Sequence, residues 1–361
     1  MIRQCSITPA RFSTLDGLYL SFRGLSYGPV LPDSFSAPCL RYLSLVAVPF
    51  PRSPKLLLSA THLESVWLTD IPHYGYISPD AMVNCLAMLT NLSCLRLQFE
   101  SPQSCPDREN RRFLPPTRSI LPSLKMFEFK GVHEYLEDLL ARIDTPRISQ
   151  LSATFFNDID FDTPELIRFV SRSSTSKAPN EAHVLFDSRT ALFKLQLHPA
   201  DVYLSVWISC RATDWQLSSL AQICTSSMPL LSTTENLYIY EPLQSQLDWE
   251  DGIENTECLD LLRPFTTVKS LYLSKQFTPR IARALQDLTG GRTTEVLPTM
   301  QNIFLEGFQP SEPVHEGIDQ FIAARQLSNR PVTISIWERD EEKRLLEMMS
   351  RHPSSGLHGM G

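Results

Sequence analysis

Glycine is scarce in this sequence, with 13 residues in 361, and basic residues do not outnumber acidic ones. Neither a GxGxxG pattern nor a P-loop is present, so a glycine-rich phosphate-binding loop is not expected. The formal net charge is −7, which argues against the basic face of a protein that binds nucleic-acid backbones. We therefore expect no nucleic-acid partner and no cofactor.

Long apolar runs are also missing. No stretch approaches the roughly 18 apolar residues of a membrane-spanning helix, and the first nine residues lack the apolar segment of a secretory signal. The eight cysteines are scattered without a CxxC pair, which is typical of free thiols in a reducing compartment. The histidines have no zinc-ligand spacing. We expect no membrane association, no metal, and a cytoplasmic or nuclear location.

Proline is plentiful, with 27 residues, and one short phrase recurs along the chain. The phrase is an apolar residue, two others, and then apolar-x-apolar. Its copies are Leu15–Leu20, Leu40–Leu45, Leu63–Leu68, Leu92–Leu97, Leu124–Phe129, Ile148–Ala153, Thr234–Ile239, Val268–Leu273 and Met300–Leu305. An irregular period of about 20–34 residues is typical of leucine-rich repeats with insertions.

Segments with helical spacing and helix-start signals separate the phrases. They are Ala81–Leu89, Val132–Ile143, Leu166–Val170, Asp214–Cys224, Pro279–Leu288 and Pro313–Leu327. One strand–turn–helix unit cannot bury its own apolar face, whereas stacked units can. The pattern predicts an α/β fold: an irregular, right-handed leucine-rich-repeat solenoid with a parallel concave sheet and helices on the convex side.

The repeat pattern predicts one domain over residues 1–349. Three consecutive strands, Val184–Phe186, Leu192–Leu197 and Val202–Ser209, indicate a hairpin inserted into degenerate units near 171–209. The charged, amphipathic segment 337–349 predicts a C-terminal cap helix, because a terminal repeat needs a polar outer layer. Residues 350–361 are expected to be a disordered tail.

The chain resembles the leucine-rich-repeat-like regions of basidiomycete F-box proteins. The clearest stretches are Pro54–Thr61, Ile71–Val83, Lys130–Ile143, Asp214–Ile223 and Val268–Pro279. The resemblance implies the substrate-binding half of an SCF-type ubiquitin ligase. No F-box precedes the first repeat phrase, so a Skp1-type adaptor is expected only if an F-box lies upstream. A non-functional fragment of such a protein is an alternative.

Alternation along the strands predicts a binding surface. If the apolar residues of each phrase point into the core, the residues between them point to the concave face. Tyr, Trp and Arg concentrate binding energy at protein interfaces, so this face is expected to bind a protein partner without catalysis. The candidate residues are Tyr19, Trp67, Arg96, Tyr238, Tyr240, Tyr272 and Phe304. Covering of this face by another part of the chain is the alternative.

Two further segments carry candidate chemistry. The stretch Glu241–Glu257 is acidic, lacks lysine and arginine, and is expected to form a loop that docks a basic peptide through Trp249, Glu250 and Asp251. The residues Gly24–Gly28 match the G-x-S-x-G elbow of hydrolases, which would make Ser26 a nucleophile. Pro29 and Pro32 follow where that elbow needs a helix, so a hydrolase is the weaker alternative.

Overall fold

The computed structural model describes most of the chain, in twelve stretches. They are residues 14–22, 31, 35–49, 55–102, 118–156, 163–172, 179–197, 202–209, 213–241, 255–289, 291–307 and 315–338. Within them, strands alternate with short helices, as the repeated phrase predicts.

The strands are β1 Gly17–Ser21, β2 Tyr42–Val46, β3 Ser65–Ile71, β4 Cys94–Phe99, β5 Ser119–Ile120, β6 Met126–Gly131, β7 Ile143–Asp144, β8 Gln150–Phe156, β9 Glu181–Phe186, β10 Thr190–Leu197, β11 Val202–Ser209, β12 Asn236–Tyr240, β13 Ser270–Leu273, β14 Asn302–Glu306 and β15 Thr333–Trp337. The helices are α1 Lys55–Ser59, α2 Pro79–Leu86, α3 His133–Leu140, α4 Pro164–Arg172, α5 Thr213–Ser226, α6 Met228–Leu231, α7 Asn255–Leu262, α8 Thr278–Gln286 and α9 Glu316–Leu327. Each of the nine phrases contributes a strand.

One long sheet organises the described residues. Its strand order is β1-β2-β3-β4-β6-β8-β11-β10-β9-β12-β13-β14-β15. Neighbouring strands are parallel except at β10, which runs against both β9 and β11. The mixed α/β class with a mostly parallel sheet is therefore confirmed. The right-handed coiling into a horseshoe remains a prediction.

A repeating backbone hydrogen bond joins successive units. In each unit, the residue two positions before the first apolar residue of apolar-x-apolar donates its N–H to a carbonyl of the preceding unit. The carbonyl belongs to the residue at the same position of that unit. Examples are Glu64 to Arg41 at 2.8 Å, Ser93 to Glu64 at 2.8 Å and Lys125 to Ser93 at 2.9 Å. The same bond recurs after the middle of the sheet, from Lys269 to Glu235 and from Gln301 to Lys269. The irregular sequence period thus maps onto a regular structural step.

The sheet is continuous through its middle, and β10 is the only one of its thirteen described strands that runs in the opposite direction. β11 pairs in parallel with β8, and β9 pairs in parallel with β12. After β8 the chain therefore forms β9 with two strand positions left between them. The strands β10 and β11 then occupy those two positions. The three strands expected at 184–209 are present. Whether they are an insertion into a single domain remains a prediction.

One face of the sheet packs against the helices. The residues at the two apolar phrase positions form unbroken rows across the strands; for example, Leu43, Val66, Leu95 and Phe127 are successive register partners. They share a core with helix residues such as Leu136 of α3. Burial of these rows between adjacent units supplies the hydrophobic stabilisation that no unit has alone.

The structure corrects two sequence expectations. Trp337, predicted as the start of the cap helix, is the last residue of β15 and is followed by the exposed Glu338; residues 339–349 of that segment lie outside the described residues. Both ends of the stretch expected as an acidic loop differ from a loop: Glu241 is buried, and residues 255–257 form the first turn of α7. Among the described residues, no helix has the length and apolar character needed to cross a membrane.

Candidate binding face

The opposite side of the sheet carries the predicted binding residues. No described helix contributes to the apolar cluster on this side, and we call it the helix-free face. The residues between the apolar pair form one row across all thirteen strands. In sheet order the row reads Tyr19, Ser44, Trp67, Arg96, Glu128, Ser152, Ser205, Lys194, His183, Tyr238, Tyr272, Phe304 and Ser335.

The first half of this row contains an ion pair whose arginine lies against an aromatic ring. Arg96 and Glu128 are register partners on β4 and β6. The Arg96 Nε lies 2.6 Å from Glu128 Oε2, and its Nη2 donates to Oε1 at 3.2 Å. The guanidinium carbon lies 4.6 Å from the ring centroid of Trp67 on the adjacent strand. The bidentate ion pair and the cation–π contact together restrict the position of the guanidinium.

Sulfur atoms lie beside this pair. The indole Nε1 of Trp67 donates to Cys94 Sγ at 3.3 Å, and Cys94 Sγ lies 3.6 Å from Met126 Sδ. Burial raises the pKa of the Cys94 thiol, while the hydrogen bond from Trp67 opposes that rise. The indole is thus held by a cation on its face and a hydrogen bond at its edge, which orients it in the sheet.

The second half of the row is an aromatic ladder, formed by His183, Tyr238, Tyr272 and Phe304. Successive ring centroids lie 4.6, 4.2 and 4.4 Å apart, and the interplanar angles are 8°, 14° and 7°. The spacing between hydrogen-bonded strands, about 4.8 Å, sets this stacking distance. Register partners on parallel strands therefore stack ring on ring; Tyr272 and Phe304 are partly exposed, whereas His183 and Tyr238 are buried.

Trp337 packs against the ladder from the edge strand. Its ring centroid lies 5.9 Å from Tyr238, 6.3 Å from Tyr240 and 5.7 Å from Tyr272, with steep interplanar angles. Together with Leu185 and Leu192, these residues form a second apolar cluster that is separate from the main core. Part of the helix-free face is therefore already covered by the chain itself.

The structure brings the seven predicted face residues onto one side of the sheet but does not expose them all. Tyr19 is 69% exposed, and Trp67, Tyr272 and Phe304 are half-buried. The expectation of exposure is wrong for Arg96, Tyr238 and Tyr240, which are 5%, 7% and 7% exposed. Their neighbours in the row and Trp337 cover them. The available surface consists of Tyr19, Trp67 and the edges of Tyr272 and Phe304.

Three residues that contact the predicted face residues were missed by the sequence argument. Glu128 occupies the same phrase position as Arg96, so alternation alone places it on the face. His183 precedes the predicted start of its strand, which the apolar run had set at Val184. Trp337 was assigned to a helix. For His183, the start of the strand was misplaced by three residues, and for Trp337, the strand β15 was not predicted at all.

Several candidate residues lie outside the described part of the chain. They are Trp249, Glu250 and Asp251 of the acidic segment, and Ser26 of the hydrolase-like elbow. The hydrolase alternative and the absence of catalysis both remain predictions. Within the described stretches, no three His, Cys, Asp or Glu side chains lie close enough together to hold a metal ion.

Comparison with known proteins gives one structural likeness. No protein-family model matches the chain, and no curated protein matches it. It is similar to a solved structure of the leucine-rich repeat-containing protein LegL7 from Legionella pneumophila, with 15% identity and a TM-score of 0.35. That likeness covers 83% of this chain and 84% of the other.

Proposed function

We propose that the chain is a non-enzymatic recognition scaffold that binds a protein on the helix-free face. The observation that supports this proposal is the continuous row of thirteen register partners. It presents Tyr19, Trp67, Tyr272 and Phe304 on one side of a sheet whose other side is filled by helices. Aromatic side chains that are partly exposed and held rigidly lose little entropy on binding, which suits them as interface anchors.

The distribution of polarity along the row suggests how a partner would be recognised. Between the two aromatic regions lie Ser152, Ser205 and Lys194, so the middle of the row is polar. A partner that spans the row would place apolar groups near Trp67 and near Tyr272, with hydrogen-bonding groups between them. A partly polar interface of this kind is typical of non-obligate protein complexes.

Site-specific photo-cross-linking tests the proposal. A benzophenone amino acid replaces Tyr19, Trp67 or Phe304 on the helix-free face, or Tyr74 or Trp215 as matched controls. The controls are aromatic and exposed, and lie in helical segments. We expect the same protein to cross-link from at least two face positions and from neither control. Cross-linking from the controls alone would contradict the proposed site.

We further propose that the scaffold presents its partner for ubiquitination, as the resemblance to F-box proteins implies. A Skp1-type adaptor would be recruited by an F-box encoded upstream. The test is the in-frame coding sequence ahead of Met1 together with adaptor binding by the extended protein. Upstream F-box helices and stable adaptor binding would support this finer proposal. An extended protein without either would leave the scaffold function standing and remove the ligase role.

A further inference from the structure

The edge strand β15 has one side without a partner strand among the described residues. On its other side it pairs with β14. Its sequence, Thr-Ile-Ser-Ile-Trp, contains no charge, proline or bulge, which are the usual protections of an edge strand. Ile336 is 45% exposed and Ile334 is partly exposed. Such an edge offers unpaired backbone groups together with apolar side chains.

The direction of the unpaired groups follows from the pairing with β14. The N–H of Thr333 donates to the Gln301 carbonyl at 2.9 Å, on the β14 side. Along a strand, the N–H and C=O groups of alternate residues point to opposite sides. The backbone groups of Ser335 and Trp337 therefore also point towards β14. Those of Ile334 and Ile336 point to the open side.

We propose that β15 pairs antiparallel with β15 of a second copy of this chain, on a two-fold axis through Ser335. In this register, Ile334 of one copy faces Ile336 of the other, and each such pair exchanges two backbone hydrogen bonds. The outward-facing groups are the ones this register uses. Ser335 meets its own counterpart at the axis, where the strands approach most closely and a small side chain fits.

Side-chain complementarity supports a second copy as the occupant. A two-fold interface must match itself, and the segment is nearly symmetric about Ser335, with isoleucine on both sides. Pairing would cover Ile336 with Ile334 of the second copy. Arg330 precedes the strand and Glu338 follows it, and both are exposed. In this register Glu338 lies opposite Val332 of the second copy, and Arg330 is its diagonal neighbour two residues along, within reach of a long side chain, so opposite charges come near each other at both ends.

Sedimentation equilibrium of the full chain over a concentration series tests the proposal. We expect a monomer–dimer equilibrium. Ile336→Lys should raise the dimer dissociation constant at least about tenfold, since two lysines would enter the interface. Ile120→Lys is the matched control, because Ile120 is an exposed isoleucine of the separate strand β5, and it should leave the constant unchanged. A wild-type chain that stays monomeric, or that grows into longer polymers through β1, would overturn the proposal.

A charge exchange disturbs the fold little, because both residues are exposed; Arg330 contributes one hydrogen bond, from its Nη1 to the Pro298 carbonyl at 3.1 Å. Arg330→Glu and Glu338→Arg should each weaken self-association, since each places like charges together at both ends. An equimolar mixture of the two variants should form a heterodimer more readily than either forms a homodimer. If the mixture shows no preference for the heterodimer, the antiparallel register is wrong.

Discussion

At the scale of single residues, the buried charge pair is the least expected feature of the face. Arg96 and Glu128 are both largely buried, although they lie on a side of the sheet where no described helix packs. Burying a charge without its partner is costly, because the protein interior replaces little of the lost hydration. The two residues are therefore expected to act as one unit in stability.

We predict that Arg96→Met lowers the free energy of unfolding by about 3 kcal/mol, because it leaves Glu128 buried and unpaired. The double variant Arg96→Met/Glu128→Leu should recover most of that loss. Urea denaturation measures both. The control is the exposed pair of Arg41 and Glu64, whose Nη2–Oε1 distance is 2.7 Å; Arg41→Met should cost less than about 1 kcal/mol. Equal losses at the two sites would contradict the account.

The cysteines give a second residue-scale prediction. Cys39 is exposed, whereas Cys85, Cys224 and Cys258 are buried. Burial raises the pKa of Cys85 and of Cys258 to about 11 and raises that of Cys224 further. Because the thiolate is the reactive form, these three thiols should stay protonated and unreactive near neutral pH. The labelling of Cys85 and Cys258 should increase as the pH rises towards 11.

Iodoacetamide labelling at pH 8, followed by mass spectrometry, measures this difference. We expect Cys39 to be alkylated first. Cys85 and Cys258 should react at least about a hundredfold more slowly than an unburied thiol, as a two-unit rise in pKa requires. Labelling in urea, which removes burial, should equalise the rates. Rapid labelling of Cys224 in the folded chain would show that the core is not packed as described.

At the scale of elements, the helices α8 and α9 approach each other closely where α9 begins. Gly317 begins α9 against α8, where an added Cβ would lie 2.9 Å from the carbonyl carbon of Ala282. Backbone cannot move aside as a flexible side chain can. Gly317→Ala is therefore expected to separate α9 from α8 and to cost about 1–3 kcal/mol. Thermal denaturation measures the loss, and Gln326→Ala, exposed on the same helix, should have almost no effect.

Elements were also the scale at which the sequence was most informative. The repeated phrase predicted nine strands, because its apolar residues form the rows that bury against helices. Helices with proline or serine start signals, such as α2 and α8, were predicted within a few residues. The helices α1, α6 and α7 and the strand β15 were missed: α1 and α6 span about one turn, α7 follows an acidic stretch, and β15 lacks the repeated phrase.

The contacts on the helix-free face were harder to predict for a physical reason. Alternation predicts which face a residue lies on, and the placement of Trp67 and Tyr272 follows from it. Burial of Tyr238 depends on stacking between strands that are far apart in sequence and on Trp337 from the edge strand. No local pattern encodes that contact.

At the scale of the whole molecule, the sheet passes without a break from β1 to β15 through the reversed strand β10. Each unit contacts mainly its neighbours, so the middle strands couple the two halves. Ser205→Pro would remove a ladder hydrogen bond in β11, between β8 and β10. We expect wild type to unfold in one urea transition and this variant in two. A single transition in the variant would show that the halves are coupled elsewhere.

The affinity of a cross-linked partner for face variants tests the central claim most directly. With the partner purified, isothermal titration calorimetry gives its dissociation constant for wild type, Trp67→Ala, Tyr272→Ala and the helix-side control Tyr74→Ala. The account predicts at least tenfold weaker binding for one or both face variants, each still folded by circular dichroism, and unchanged binding for the control. Unchanged binding by both face variants, with a loss at Tyr74→Ala, would contradict it.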